Sequence, residues 1–276
     1  MSEEVIAFIG GGNMARSLIG GLIADGQPAA SLRIAEPDAE RRESLVREFG
    51  VQAFEDNATA ARGADAVMLA VKPQTLATAV RPLANQLREQ QSVVISVAAG
   101  VRSADIGRWL GGEDVPVVRA MPNTPALVKT GATALYATPA VNEAQRNLAE
   151  TLLRAVGMVV WLPDEAQMDA VTALSGSGPA YFFYTMEAMQ AAAEAQGLST
   201  ETARLLTLET ALGAARMALE SSEDPATLRR RVSSPGGTTA AAIEALQAGD
   251  LAGLYQKALA AAAARAGEIG DDLGAH

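Results

Sequence analysis

The stretch Ser234-Pro235-Gly236-Gly237-Thr238-Thr239 gathers three hydroxyls and two glycines just ahead of a helical run that reaches Gln247. Glycine bares the backbone. The first turn of a helix keeps free N–H groups, with the positive end of the helix dipole behind them, so such a turn can hold an anion. No charged side chain lies in the stretch, and a small carboxylate therefore suits it better than a bulky polyanion. The plain alternative is a well-capped helix start. A second start of this kind, Ala173-Leu174-Ser175-Gly176-Ser177-Gly178-Pro179-Ala180-Tyr181, makes that alternative less satisfying; Pro179 suits a first turn. The usual catalytic side chains are scarce: there is no cysteine, and the one histidine is His276. Disulfides, thiolate catalysis, a Ser-His-Asp triad, a His-Asp hydride-transfer pair and an ordinary zinc site therefore have no residues to build them, and no metal site is expected.

A second constellation lies near the start. Val5 to Ile9 is a short apolar run suited to a strand buried on both faces, and Met14, Leu18 and Leu22 follow at helical spacing. Between them, Gly10-Gly11-Gly12-Asn13-Met14-Ala15 contains the G-x-G-x-x-A pattern. Gly10 permits the turn, Gly12 lets a dinucleotide pyrophosphate approach the backbone, and Ala15 lets the helix pack close on the strand. Glu36 closes a second strand about twenty residues later, where an acid accepts hydrogen bonds from the adenosine ribose and repels a 2′-phosphate. Arg41 and Arg42 answer such a phosphate if they turn inward; on a helix they are otherwise solvated. Three further loops fall at strand ends, where ligands lie in such folds. In Ala70-Val71-Lys72-Pro73, Lys72 reads equally as a catalytic lysine or a structural residue. Ala98-Ala99-Gly100 passes near the nicotinamide half. In Arg119-Ala120-Met121-Pro122-Asn123-Thr124-Pro125 the prolines fix a rigid loop, and Asn123 either faces cofactor or substrate or caps the turn.

These residues need a scaffold, and the alternation of strand-like and helix-like runs over the first 160 or so residues predicts a parallel α/β sheet. Strands are expected at Val5 to Ile9, Leu32 to Ala35, near Val51, Ala66 to Val71, Val93 to Val97, Val115 to Ala120, Ala132 to Tyr136 and Met158 to Trp161. After Pro163-Asp164 helices are expected over 165–174, 179–197, 200–220, 225–232, 238–247 and 250–269, with Ser199 as an N-cap. Leu205, Leu208, Leu212, Ala215 and Leu219 form an apolar stripe, read either as bundle core or, by fold analogy, as a dimer surface. The fold class is therefore α/β: a Rossmann-type doubly wound sheet over residues 1–162, followed by an all-α dimerisation and substrate domain over 163–276. A net charge of −10 argues against a nucleic-acid surface. The acidic Met1-Ser2-Glu3-Glu4 start and the polar residues inside 170–186 leave neither a signal-peptide core nor a membrane span, so a cytoplasmic protein is expected.

Taken together and in order, these stretches resemble the pyrroline-5-carboxylate reductase family, with Ser234-Pro235-Gly236-Gly237-Thr238-Thr239 the most diagnostic. The resemblance implies reduction of the cyclic imine 1-pyrroline-5-carboxylate to L-proline with NADP(H) or NAD(H), by an interlocked homodimer often assembled as a decamer of five dimers. It also implies that Ser234, Gly236, Gly237, Thr238 and Thr239 hold the substrate, with Ser234 and Thr239 nearest the chemistry and Glu165 nearby. Asn57 would lie on the adenosine side. Two rivals stand beside it. A β-hydroxyacid dehydrogenase would carry a lysine after the glycine-rich helix start, but the lysines are Lys72, Lys129 and Lys257. A non-catalytic nucleotide-binding regulator would not need the loop at 233–239.

Overall fold

The structure, a computed structural model, describes residues 4–274. Residues Met1, Ser2, Glu3 and His276 of the sequence reading lie outside that range. Strands and helices alternate through the first part: β1 (Ile6–Ile9), α1 (Asn13–Ala24), β2 (Leu32–Ala35), α2 (Ala39–Phe49), β3 (Gln52–Phe54), α3 (Asn57–Ala61) and β4 (Ala66–Leu69). They continue with α4 (Pro73–Val80), α5 (Ala84–Gln90), β5 (Val93–Ser96), α6 (Ser103–Trp109), β6 (Val117–Met121), β7 (Gly131–Ala137), α7 (Glu143–Arg154) and β8 (Gly157–Trp161). All eight expected strands form, the third just past Val51.

The strand order is β3-β2-β1-β4-β5-β6-β7-β8, parallel throughout except where β6 and β7 run antiparallel. Alternate residues of β1 enter opposite cores. Ile6 and Phe8 pack with Leu18, Ile19 and Leu22 of α1 and Leu152 and Leu153 of α7. Ala7 and Ile9 pack with Ala60, Leu76, Val80, Leu87 and Ile106 on the other face. Helices thus cover both faces, which is why the strands read as unbroken apolar runs rather than alternating ones. The chain leaves β1 toward β2 on one side and reaches β4 on the other. That reversal opens a crevice at the C-terminal ends of β1 and β4, whose last residues Ile9 and Leu69 are register partners.

Beyond β8 the chain is helical: α8 (Met168–Val171), a π turn (Thr172–Gly176), α9 (Gly178–Ala195), α10 (Thr200–Glu220), α11 (Pro225–Arg231), α12 (Thr238–Ala248) and α13 (Leu251–Gly274). Two compact units result, residues 4–177 with 262–274 and Gly178–Ala261. Ser199 caps α10 as expected, accepting from the Thr202 amide at 3.2 Å. The α10 stripe is not the core of a bundle within this chain. Leu205, Leu212 and Leu219 are 57, 62 and 88 % exposed, and Phe182, Phe183 and Tyr184 of α9 are exposed too. Apolar surface of this extent marks a face for another protein surface. Among the described residues, no helix is long and apolar enough to cross a membrane.

Candidate active site

The glycine turn sits at the mouth of the crevice. Gly10 has φ +101°, and a Cβ there would stand 2.8 Å from Val71 Cγ1 and 2.9 Å from the Ala70 carbonyl oxygen. Conformation and the approach of the β4 loop therefore both demand glycine. Gly12 differs: it precedes α1 in extended conformation, and a Cβ there would meet nothing within 4 Å. Open space thus lies beside the first turn of α1, whose leading amides have no partner within the helix. Asn13 is exposed at that turn, Met14 is half-buried, and Ala15 is fully buried in the core. Residues Gly10, Gly11, Gly12, Asn13, Met14 and Ala15 fit a dinucleotide phosphate held on backbone amides.

Glu36 does something that spacing alone did not reveal. Its carboxylate is buried, Oε2 accepting from the Gly11 amide at 2.9 Å and Oε1 from the Asp38 amide at 3.0 Å. Arg41 turns inward to it at 3.3 Å, while Arg42 donates to the Glu36 and Pro37 carbonyl oxygens. The acid is part of the turn. It also explains Gly11, where a Cβ would come within 2.9 Å of Glu36 Oε2.

The neighbouring loops converge on the same sheet edge. Ala70 and Val71 line the Gly10 approach, and Lys72, exposed, precedes Pro73 at the first position of α4. Asn57, half-buried, opens α3 and donates through its amide to the Ala79 carbonyl oxygen at 3.2 Å. After β5, Ala98 and Gly100 are buried and Ala99 exposed, with Gly100 at φ +80°. Asn123 does not cap the turn it opens. It accepts from the Ala132 amide at 2.9 Å and donates to the Ser175 carbonyl oxygen at 3.1 Å, bridging the β6–β7 connection to the π turn.

Glu165 is fastened by residues that periodicity could not connect to it. It accepts from the Ser103 amide at 2.7 Å and from Arg119 at 2.7 Å, and the Ser103 hydroxyl donates to its other oxygen. Burial pushes its carboxyl upward, but the Ser103 hydrogen bonds and the Arg119 guanidinium outweigh that and hold it below the usual carboxylate range. This ion pair joins β6, the start of α6 and the segment after β8.

In the Gly178–Ala261 unit, Ser233 closes α11 by donating through its hydroxyl to the Arg229 carbonyl oxygen at 2.7 Å. The Gly237 amide then donates to the Ser234 carbonyl oxygen at 3.0 Å, turning the chain through Gly236 at φ +71° into α12. Among the described residues, the amides of Thr238, Thr239 and Ala240 and the hydroxyls of Ser234, Thr238 and Thr239 have no hydrogen-bond partner. Ser234, Gly236 and Thr238 are exposed, and Gly237 and Thr239 half-buried. The other glycine-rich start is different. The Ser177 amide donates to the Thr172 carbonyl oxygen at 2.8 Å, so α8 widens through a π turn and the amide just ahead of α9 is already engaged.

Comparison with known proteins agrees along the whole chain. Residues 165–269 match the family described as pyrroline-5-carboxylate reductase dimerisation, and residues 5–100 match NADP oxidoreductase, coenzyme F420-dependent. Pyrroline-5-carboxylate reductase of Pseudomonas aeruginosa is 54 % identical over 274 residues, covering 99 % of this chain and 100 % of that one. A solved pyrroline-5-carboxylate reductase from Coxiella burnetii superposes with TM-score 0.94 at 47 % identity, covering 97 % of this chain and 99 % of its own. The Plasmodium falciparum pyrroline carboxylate reductase, solved with NADP bound, gives TM-score 0.86 at 25 % identity, covering 98 % and 99 %. With more than half of its residues shared over the full length of a relative, the chain belongs to the pyrroline-5-carboxylate reductase family.

Proposed function

We propose that the protein reduces 1-pyrroline-5-carboxylate to L-proline, the final step of proline synthesis, with NAD(P)H as hydride donor. The observation that carries this reading is the match at 54 % identity over the full length of a pyrroline-5-carboxylate reductase. Chemistry supports it. Reducing a C=O bond usually calls for a general acid such as histidine or lysine. A cyclic imine brings its own proton as the iminium, so positioning and solvation are what the protein must supply. The loop from Ser234 through Gly236, Gly237 and Thr238 to Thr239, with its unengaged amides and hydroxyls, suits the carboxylate and ring nitrogen. Thr239 and Ser234 are the residues assigned nearest the reacting atoms.

The dinucleotide supplies the hydride when bound. Gly10 through Ala15 would hold its pyrophosphate, with Glu36 and Asn57 toward the adenosine. Ala70, Val71, Lys72, Pro73, Ala98, Ala99, Gly100 and Asn123 would border its other half. Glu165 stays in the proposal as a neighbour of the substrate that acts through Ser103 and Arg119. The functional division lies after residue 162, supported by the dimerisation match beginning at 165. The exposed stripes of α9 and α10 would close a homodimer, which five copies would extend to a decamer, in the cytoplasm. NAD(P)H oxidation followed at its nicotinamide absorbance, with pyrroline-5-carboxylate present and proline quantified, tests the reading. Oxidation with an equal yield of proline is expected; no oxidation of either cofactor overturns it.

A further inference from the structure

The last turns of α13 return to the sheet unit and dock on the loop after β5. A Cβ on Gly270 would stand 2.9 Å from the Gly100 carbonyl oxygen, and a Cβ on Gly100 would stand 2.9 Å from Ile269 Cγ2. Gly100 and Gly270 are both buried, and Ala266, one turn earlier, is 5 % exposed. The helix and the loop therefore touch backbone to backbone at a point where neither tolerates a side chain. Polar contacts flank that point. Arg102 pairs with Asp271 at 2.6 Å, Arg108 donates to the Gly274 carbonyl oxygen at 2.7 Å, and Leu273 packs on the core beneath α6. On its far side the same loop is tied through Ser103 to Glu165.

From this geometry we infer that the C-terminal segment Ile269–Gly274 is a positioning element for the reaction: it sets the height of the Ala98–Gly100 loop, and through it the seat of the nicotinamide. The inference rests on the reading that this loop borders the cofactor. A side chain at Gly270 would displace the Gly100 carbonyl, and with it the loop proposed to border that seat. Gly100 is covalently continuous with Ala98 and Ala99, so a shift of its peptide is passed along the backbone to them. A misplacement of about 1 Å near a reacting centre costs on the order of a hundredfold in rate.

Gly270→Ala in the full chain separates this role from a structural one. Alanine favours a helix over glycine, so the helix itself gains from the change. The control is Gly267→Ala on the same helix, whose Cβ would meet only Asp169 Oδ2 at an ordinary 3.5 Å. We expect Gly267→Ala to match wild type within about twofold, and Gly270→Ala, whose Cβ must displace the Gly100 carbonyl, to lower the melting temperature. In folded protein assayed well below it, Gly270→Ala should raise the Kd for NAD(P)H about tenfold and lower kcat by up to about a hundredfold, where a merely structural role would lower the melting temperature alone. Should Gly270→Ala fail to fold, Ile269→Ala, which adds no atom and withdraws the support under Gly100, carries the same expectation. Both kcat and cofactor Kd within twofold of the Gly267→Ala control would overturn the inference. A wild type that binds cofactor but leaves pyrroline-5-carboxylate unreduced overturns the functional reading instead, with the Kd comparison still deciding the positioning role. A wild type that binds neither cofactor overturns both.

Discussion

The Gly11 amide donates to Glu36 Oε2 across 2.9 Å, so the acid that closes β2 is built into the turn that follows β1. In the proposed function Glu36 lies toward the adenosine, and its oxygens already serve the Gly11 and Asp38 amides and the Arg41 guanidinium. On that reading, cofactor preference and turn geometry would be coupled through one side chain.

That coupling gives the first prediction. Glu36→Ser removes the charge that a 2′-phosphate would face and releases Arg41 to meet it. The ratio of kcat/KM for NADPH over NADH should rise by about fivefold or more, the scale of ~1 kcal/mol of like-charge interaction at a few ångströms. The Gly11 amide loses its acceptor as well, so kcat/KM for NADH should fall in absolute terms. Steady-state kinetics with both cofactors measure this, and an unchanged ratio would remove Glu36 from cofactor selection.

Gly12 gives the second. Because a Cβ there meets nothing within 4 Å, Gly12→Val leaves the protein its own packing and places methyl groups only where a ligand would lie. Cofactor Kd should weaken at least about tenfold, ~1.4 kcal/mol, with the melting temperature close to wild type. Gly10→Ala is the opposite case, since the φ of +101° and Val71 at 2.8 Å make it a stability mutation first. Titration of the folded Gly12→Val protein with undiminished affinity would move the pyrophosphate site elsewhere.

The local features were legible in the sequence. The run into Gly10, the spacing of Leu18 and Leu22, and the hydroxyls ahead of α12 all act within a few residues of one another, and local patterns report local structure. What was not legible acts at a distance. The Arg119–Glu165 pair spans 46 residues and the Arg102–Asp271 pair 169, and no periodicity marks either. Gly11 reads as a filler between two motif glycines until Glu36 and Leu45 are seen against it. Leu205, Leu212 and Leu219 repeat at helical spacing whether they face a core or a second subunit, so the pattern alone left both readings open.

Glu165 makes the third prediction, on pH. Its folded carboxyl is held below the ordinary value of 4.5, so its contribution to stability is complete above that pH and is lost as pH falls through the folded value. Glu165→Gln has no proton to take up. Its melting temperature should be lower than wild type near neutrality, where Arg119 has lost its counter-charge, but should decline less steeply between about pH 5 and pH 3. Parallel curves for the two proteins would show that another carboxylate governs the acid limb.

Thr239 carries the last prediction. It stands in the first turn of α12, half-buried, with its hydroxyl and amide without partners among the described residues. Gly237 ahead of it cannot cap the helix with a side chain, so the first-turn amides face outward as donors. A carboxylate bound there would take those amides, leaving the Thr239 hydroxyl for the ring nitrogen. Thr239→Val keeps the shape of the side chain and removes only that hydroxyl. Losing one positioned hydrogen bond costs on the order of 1–3 kcal/mol, which is roughly a five- to 150-fold loss in kcat/KM for pyrroline-5-carboxylate. The amides of α12 remain, so substrate should still bind, and the loss should fall more on kcat than on KM. Cofactor affinity and melting temperature should match wild type, because the hydroxyl holds nothing in the folded chain. A Thr239→Val enzyme with unchanged kcat/KM would take the Thr239 hydroxyl out of the mechanism and leave the loop's contribution to the backbone amides and the Ser234 and Thr238 hydroxyls.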